Sequence, residues 1–165
     1  MLEKDHKIPE LDSWLNENKD LINTIKKEKK HSINIQIDFE PATFDIDNLD
    51  HIEVEKEFWY KSEGTQTKIL EKLRKTKKNE FNYIIDFHGL TKKQAKLNLD
   101  KLLKLCLEKN YRKLKVIFGK GHHSSKNPEL VKIVISYCIK SRYIKAACSA
   151  KKNDGGIGVI YIQLV

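Results

Sequence analysis

Between Tyr83 and Phe118 two apolar runs of strand length enclose a capped amphipathic helix, and this unit constrains the fold more than any other feature. Tyr83-Ile84-Ile85-Asp86-Phe87 is β-branched and aromatic, as a buried strand requires, and His88-Gly89 ends it. Thr91 then stands three residues before Gln94, the spacing of a capping box. Ala95, Leu99, Leu102, Leu103 and Cys106 follow at helical spacing and predict one buried helix face. Leu114-Lys115-Val116-Ile117-Phe118 is the second run, ended by Gly119-Lys120-Gly121. A strand, helix and strand of these lengths join almost always as a right-handed crossover between parallel strands.

The same grammar continues to the end of the chain. Asn127-Pro128 predicts a helix start, with Asn as cap and Pro at the first helical position. Leu130, Val131, Val134, Ile135, Cys138 and Ile139 give that helix an apolar stripe. Strands are expected near Tyr143–Cys148 and Val159–Leu164, on either side of the turn Asn153-Asp154-Gly155-Gly156-Ile157-Gly158. The order is βαβαββ, which predicts an α/β two-layer sandwich with a mixed four-stranded sheet and an N-terminal extension.

Upstream the signals are weaker. Leu11, Trp14, Leu15, Leu21, Ile22 and Ile25 form a helical stripe too short to be a domain, so it is expected to dock on a partner or on this chain. Ser32 to Phe39 alternates like a half-buried strand, and Glu40 to Glu57 reads as a weakly ordered acidic linker. A further helix over Thr65–Lys75 leads into Arg74, Lys75, Lys77 and Lys78. The expected organisation is therefore an amphipathic helix in residues 1–30, an acidic extended linker in 31–64 and a basic domain in 65–165.

Charge sharpens this division. Residues 31–64 hold nine acids against Lys56 and Lys61, whereas residues 65–165 hold 23 basic and seven acidic side chains. A small domain with so positive a field attracts polyanions in a salt-dependent way. The acidic segment can compete with phosphate for that face. Cys106, Cys138 and Cys148 lack metal or redox spacing and read as buried reduced thiols. With no long apolar run and no basic-then-apolar leader, a soluble cytoplasmic protein without membrane partners is expected.

If the first two strands are parallel, their carboxyl ends open at one sheet edge, where open α/β sheets bind ligands. That edge collects Asp86, His88 and Gly89 from one strand with Gly119, Lys120, Gly121, His122, His123 and Ser124 after the other. Histidine suits acid–base work, lysine supplies a point charge, and glycine lets backbone N–H groups approach a phosphodiester. Taken singly, each residue also fits a plain turn or a solvated loop. No cofactor is required, although Asp86, His88, His122 and His123 also suit a divalent metal. Neither a Walker sequence nor a Gly-x-Ser-x-Gly elbow is present.

These motifs resemble the Smr (small MutS-related) domain family, in its stand-alone bacterial form. Ile85-Asp86-Phe87-His88-Gly89 looks like the family's Leu-Asp-Leu-His-Gly signature, and Gly119-Lys120-Gly121 like its second motif. Gly155-Gly156-Ile157-Gly158 before Val159-Ile160-Tyr161-Ile162 is similar to its closing glycine turn and strand. Leu73-Arg74-Lys75 resembles the basic lead-in helix. Phe87 stands where the family usually has leucine, and His122-His123 where many relatives continue with small residues.

The resemblance implies a fold like the C-terminal domain of translation initiation factor three. It further implies endonuclease activity on DNA or RNA, tied in bacteria to ribosome rescue or to control of repair and recombination. Asp86 and His88 match the catalytic motif, and Gly119, Lys120 and Gly121 the phosphate site. His122 is the candidate second acid–base group, and Gly89, His123, Ser124, Arg74, Lys75, Lys77 and Lys78 are expected to hold nucleic acid. The alternatives are a non-catalytic module that binds nucleic acid or the ribosome, and a protein-interaction adaptor using the acidic segment.

Overall fold

The computed structural model describes residues 37–54, 57–119 and 129–165, within a compact unit that begins at Gln36. The expected helix in residues 1–30 and most of the alternating segment from Ser32 lie outside the described residues.

The crossover unit forms as the sequence predicts. Strand β2 (Tyr83–Asp86) runs parallel to β3 (Lys113–Ile117), and helix α2 (Lys92–Glu108) joins them. Thr91 Oγ1 accepts the Gln94 backbone N–H at 3.3 Å, while the Thr91 N–H donates to Gln94 Oε1 at 2.9 Å. Two otherwise orphaned donors are satisfied reciprocally, which fixes where α2 begins. Its buried residues are Ala95, Leu99, Leu102, Leu103 and Cys106, the face set by the helical period. Helix α3 (Glu129–Lys140) follows, then β4 (Ile144–Ser149) and β5 (Val159–Leu164). Strand β5 inserts antiparallel between β3 and β4.

The sheet has five strands rather than the expected four, in the order β1 (Trp59–Lys61), β4, β5, β3, β2. The addition is β1, antiparallel to β4, with Trp59 opposite Cys148. Helix α1 (Lys68–Arg74) packs against β4 and β5. Alternation along the strands separates two cores. On one face Leu114, Val116, Ile160, Ile162 and Ala147 pack with α2 and α3. On the other, Ala146, Cys148, Val159 and Tyr161 pack with Leu70 and Leu73 of α1. The three cysteines are free and buried, and burial pushes the Cys106 and Cys148 thiols up to about 12.

Residues 37–54 do not behave as a weakly ordered linker. Ala42, Leu49 and Val54 are buried in the α2–α3 core. Phe39 stacks on Tyr143 with centroids 5.3 Å apart, and Phe44 meets Tyr137 edge-on at 6.2 Å. The Tyr143 hydroxyl donates to the Asp38 carbonyl and accepts the Glu40 N–H, both at 3.0 Å. Apolar residues scattered between acids show no period, so their burial becomes legible only beside the helix they cover. That cover explains α3, whose residues Val131 to Cys138 are all buried where the stripe predicted one face. Ile139, assigned to the stripe, is exposed.

Candidate functional site

Strand β2 ends at Asp86, and the chain turns at once. The Phe87 N–H donates to the Ile117 carbonyl at 2.6 Å, tying the turn to the end of β3. By alternation Ile84 and Asp86 face the α1 side of the sheet, and both are exposed. Asp86 Oδ1 accepts the His88 backbone N–H at 2.9 Å and lies 3.0 Å from His88 Nδ1. One carboxylate oxygen thus anchors both the turn and the ring. His88 lies beyond the strand, so this contact, and not strand alternation, brings the two side chains together. A proton on Nδ1, donated to Asp86, leaves the Nε2 lone pair pointing away from the carboxylate. The His88 side chain is 76% exposed, open to a ligand the size of a polynucleotide.

Gly89 (φ 77°) and Gly119 (φ 72°) follow the two parallel strands, both with the left-handed backbone that glycine adopts without a Cβ penalty. Asp86 pairs in register with Ile117, so the two strand ends, and with them His88, Gly89 and Gly119, share one edge. Lys120, Gly121, His122, His123 and Ser124 lie outside the described residues. Among the described residues no group of three or more His, Cys, Asp or Glu side chains converges as a metal site would require.

A second polar group on the α1 face carried little sequence signal. Lys115 sits mid-strand in β3, opposite Ile84 on one side and Tyr161 on the other. Its Nζ reaches Asp154 Oδ1 at 2.5 Å, and the Tyr161 hydroxyl donates to Asp154 Oδ2. Asp154 belongs to the turn before β5, so the three side chains hold the glycine-rich turn against the sheet. Burial works to raise the Asp154 pKa, but the hydrogen bonds from Lys115 and Tyr161 and the charges of Lys115 and Lys78 outweigh it. The carboxyl is held below its ordinary range. A lysine between Leu114 and Val116 in the strand was the one available hint of an acidic partner.

The basic lead-in segment divides in two. Arg74 makes a bidentate pair with Glu57, both bonds 2.6 Å, and its guanidinium lies 4.7 Å from the Trp59 ring centroid. It is therefore at the β1 edge, four strand spacings or roughly 19 Å from the β2 edge that carries Asp86. Lys75, Lys77 and Lys78 make no ion pair among the described residues and lie on the stretch that leads from α1 to β2. Lys151 and Lys152, which follow β4, are likewise unpaired among the described residues.

The Smr domain family model matches residues 85–165, from the β2 end through β5. The C-terminal half of this chain is an Smr domain. YdaL, a stand-alone small MutS-related protein from Escherichia coli, is similar in structure. Its TM-score is 0.61 at 23% identity, over 79% of this chain and 98% of that one. That share exceeds residues 85–165, so the common fold includes residues that precede the Smr match. The Smr domain of Thermus thermophilus MutS2 gives a TM-score of 0.46 at 23% identity, covering 50% of this chain and 98% of that one. No curated protein matched by sequence. Asp86, His88, Gly89 and Gly119 all fall within the Smr match, whereas Arg74, Lys75, Lys77 and Lys78 precede it.

Proposed function

We propose that this Smr protein is a cytoplasmic endonuclease that cleaves phosphodiester bonds, with RNA preferred over DNA. The observation that carries the reading is the 3.0 Å contact of Asp86 with His88 Nδ1 beside two glycine-ended parallel strands. Asp86 orients the imidazole, and His88 Nε2 takes the proton of the attacking group. In RNA that group is the neighbouring 2′-hydroxyl. Its oxygen bonds to phosphorus, the bond from phosphorus to the 5′-oxygen breaks, and a general acid protonates the leaving oxygen. His122 is the sequence's candidate for that acid. Lys120 and the backbone N–H groups of Gly119 and Gly121 are assigned to the charge that gathers on the phosphorane. DNA has no 2′-hydroxyl, and this is the basis of the RNA preference. The sequence's alternative of a divalent metal would replace the histidine base with a metal-bound nucleophile. Ribosome rescue and recombination control are the cellular settings that the family likeness supports.

The test is cleavage of labelled single-stranded RNA and of supercoiled plasmid, with and without chelator, by the wild type and by His88→Ala. Loss of a general base costs roughly 10²–10⁴-fold in rate. Because His88 is exposed, the variant should keep its fold and its nucleic-acid affinity. Full activity in His88→Ala overturns the assignment, and activity abolished by chelator replaces the histidine mechanism with a metal-assisted one. Salt-dependent binding with no cleaved product identifies a non-catalytic binding module instead.

A further inference from the structure

We propose that Trp59 is a stacking platform for an unpaired base, so that this domain takes its nucleic acid as a single strand lying across the α1 face. The inference rests on the nucleic-acid reading above and deepens it to a substrate class. Trp59 is 44% exposed, which is open for a residue type that is highly buried on average. It is also held in place. Arg74 lies over the ring at 4.7 Å, and Glu57 grips Arg74 through two bonds of 2.6 Å. Among the described residues no other aromatic ring stacks on it. A flat ring fixed before binding loses little conformational entropy when a ligand stacks on it.

The surroundings select the ligand. Arg74 and Glu57 neutralise one another, while the charge of Lys152 reaches Glu57 from the turn after β4. Lys75 and Lys151 lie next in sequence to Arg74 and Lys152, and neither has an ion pair among the described residues. An aromatic face among unpaired lysines fits a polyanion that carries aromatic rings, and fits an apolar protein surface poorly. Within a duplex each base is already stacked on both sides, so only an unpaired strand offers a free face. From Trp59 the unpaired Lys75, Lys77 and Lys78 lead toward the β2 edge, where Asp86 and His88 stand roughly 19 Å away. A base held on Trp59 would thus lie several nucleotides from the phosphodiester at His88.

The full chain with Trp14→Phe keeps Trp59 as its one tryptophan. Its emission is followed on titration with single-stranded RNA and DNA of about 12 nucleotides and with a duplex of the same length. Both single strands should quench Trp59, and the duplex should leave it largely unchanged. Trp59→Ala should weaken single-strand binding roughly five- to 100-fold, with duplex binding unaltered. Trp59→Phe should recover part of the loss, and unchanged circular dichroism melts would separate stacking from unfolding. Single strands that bind with no quenching, or a duplex that quenches equally, overturn the platform and leave the nucleic-acid reading intact. If no probe binds at low salt, both fall, and the patch belongs to a protein partner.

Discussion

Asp154 illustrates what one side chain does here. Its carboxylate is shared by Lys115, whose side chain is 8% exposed, and by the Tyr161 hydroxyl. Removing it would leave an ammonium in the sheet with no counter-charge, which costs more than an exposed pair is worth. Partial exposure of the carboxylate screens the effect, so Asp154→Asn should lose about 1–2 kcal/mol at neutral pH. Because the folded pKa lies below the ordinary value, the stabilisation is complete above that value and disappears as pH falls through the folded pKa. The stability gap between wild type and variant should therefore narrow below about pH 4 in chemical denaturation. A gap that stays constant with pH would show that the carboxylate's charge is not what matters. The sequence revealed Asp86 and His88 through their position at a strand end. It gave no means of pairing Lys115 with a residue 39 positions away.

At the scale of elements, the legible parts are those whose signals are local. Helix α2 has a capping box at one end and a periodic face, and its five buried residues follow from the period alone. Thr91→Ala should lower stability by about 1 kcal/mol, seen as a melting temperature lower by a few degrees. Thr91→Ser should restore most of it, since the hydroxyl supplies the bond. No loss in Thr91→Ala would mean that the start of α2 is held by packing instead. Strand β1 was missed because Trp59-Tyr60-Lys61 is too short to carry a period. It is a strand only because β4 offers it an edge, from Trp59 opposite Cys148 to Lys61 opposite Ala146.

Over the whole molecule, the acidic segment joins the domain that charge alone had set apart from it. Glu40 pairs with Arg142 at 2.9 Å, Asp50 approaches Lys132 at 3.4 Å, and Glu57 holds Arg74. Arg142 lies between α3 and β4, while Lys132 of α3 also lies 4.0 Å from Glu129, the partner of Lys92 at the start of α2. A chain beginning at Thr65 would lose β1 and the buried Ala42, Leu49 and Val54, and would uncover Tyr137, which Phe44 meets edge-on. Losing or exposing several such side chains, at about 1.5–3 kcal/mol each, would remove most of the stability of a domain this size. Such a chain should aggregate or melt without cooperativity. A sharp melt with nucleic-acid affinity equal to the full chain would make residues 37–64 dispensable to fold and binding alike. No helix among the described residues is long and apolar enough to cross a membrane.

The sequence by itself determined the crossover, the four longer strands, the α2 face and the edge where Asp86, His88 and Gly119 meet. Each follows from periodicity, capping or strand-end residues within a few positions of one another. Tertiary structure alone decided the fifth strand, the burial of α3 on every side, the Lys115–Asp154–Tyr161 group and the pairing of Trp59 with Arg74. These contacts join residues far apart in sequence, and their energies exist only once the sheet has brought the partners together.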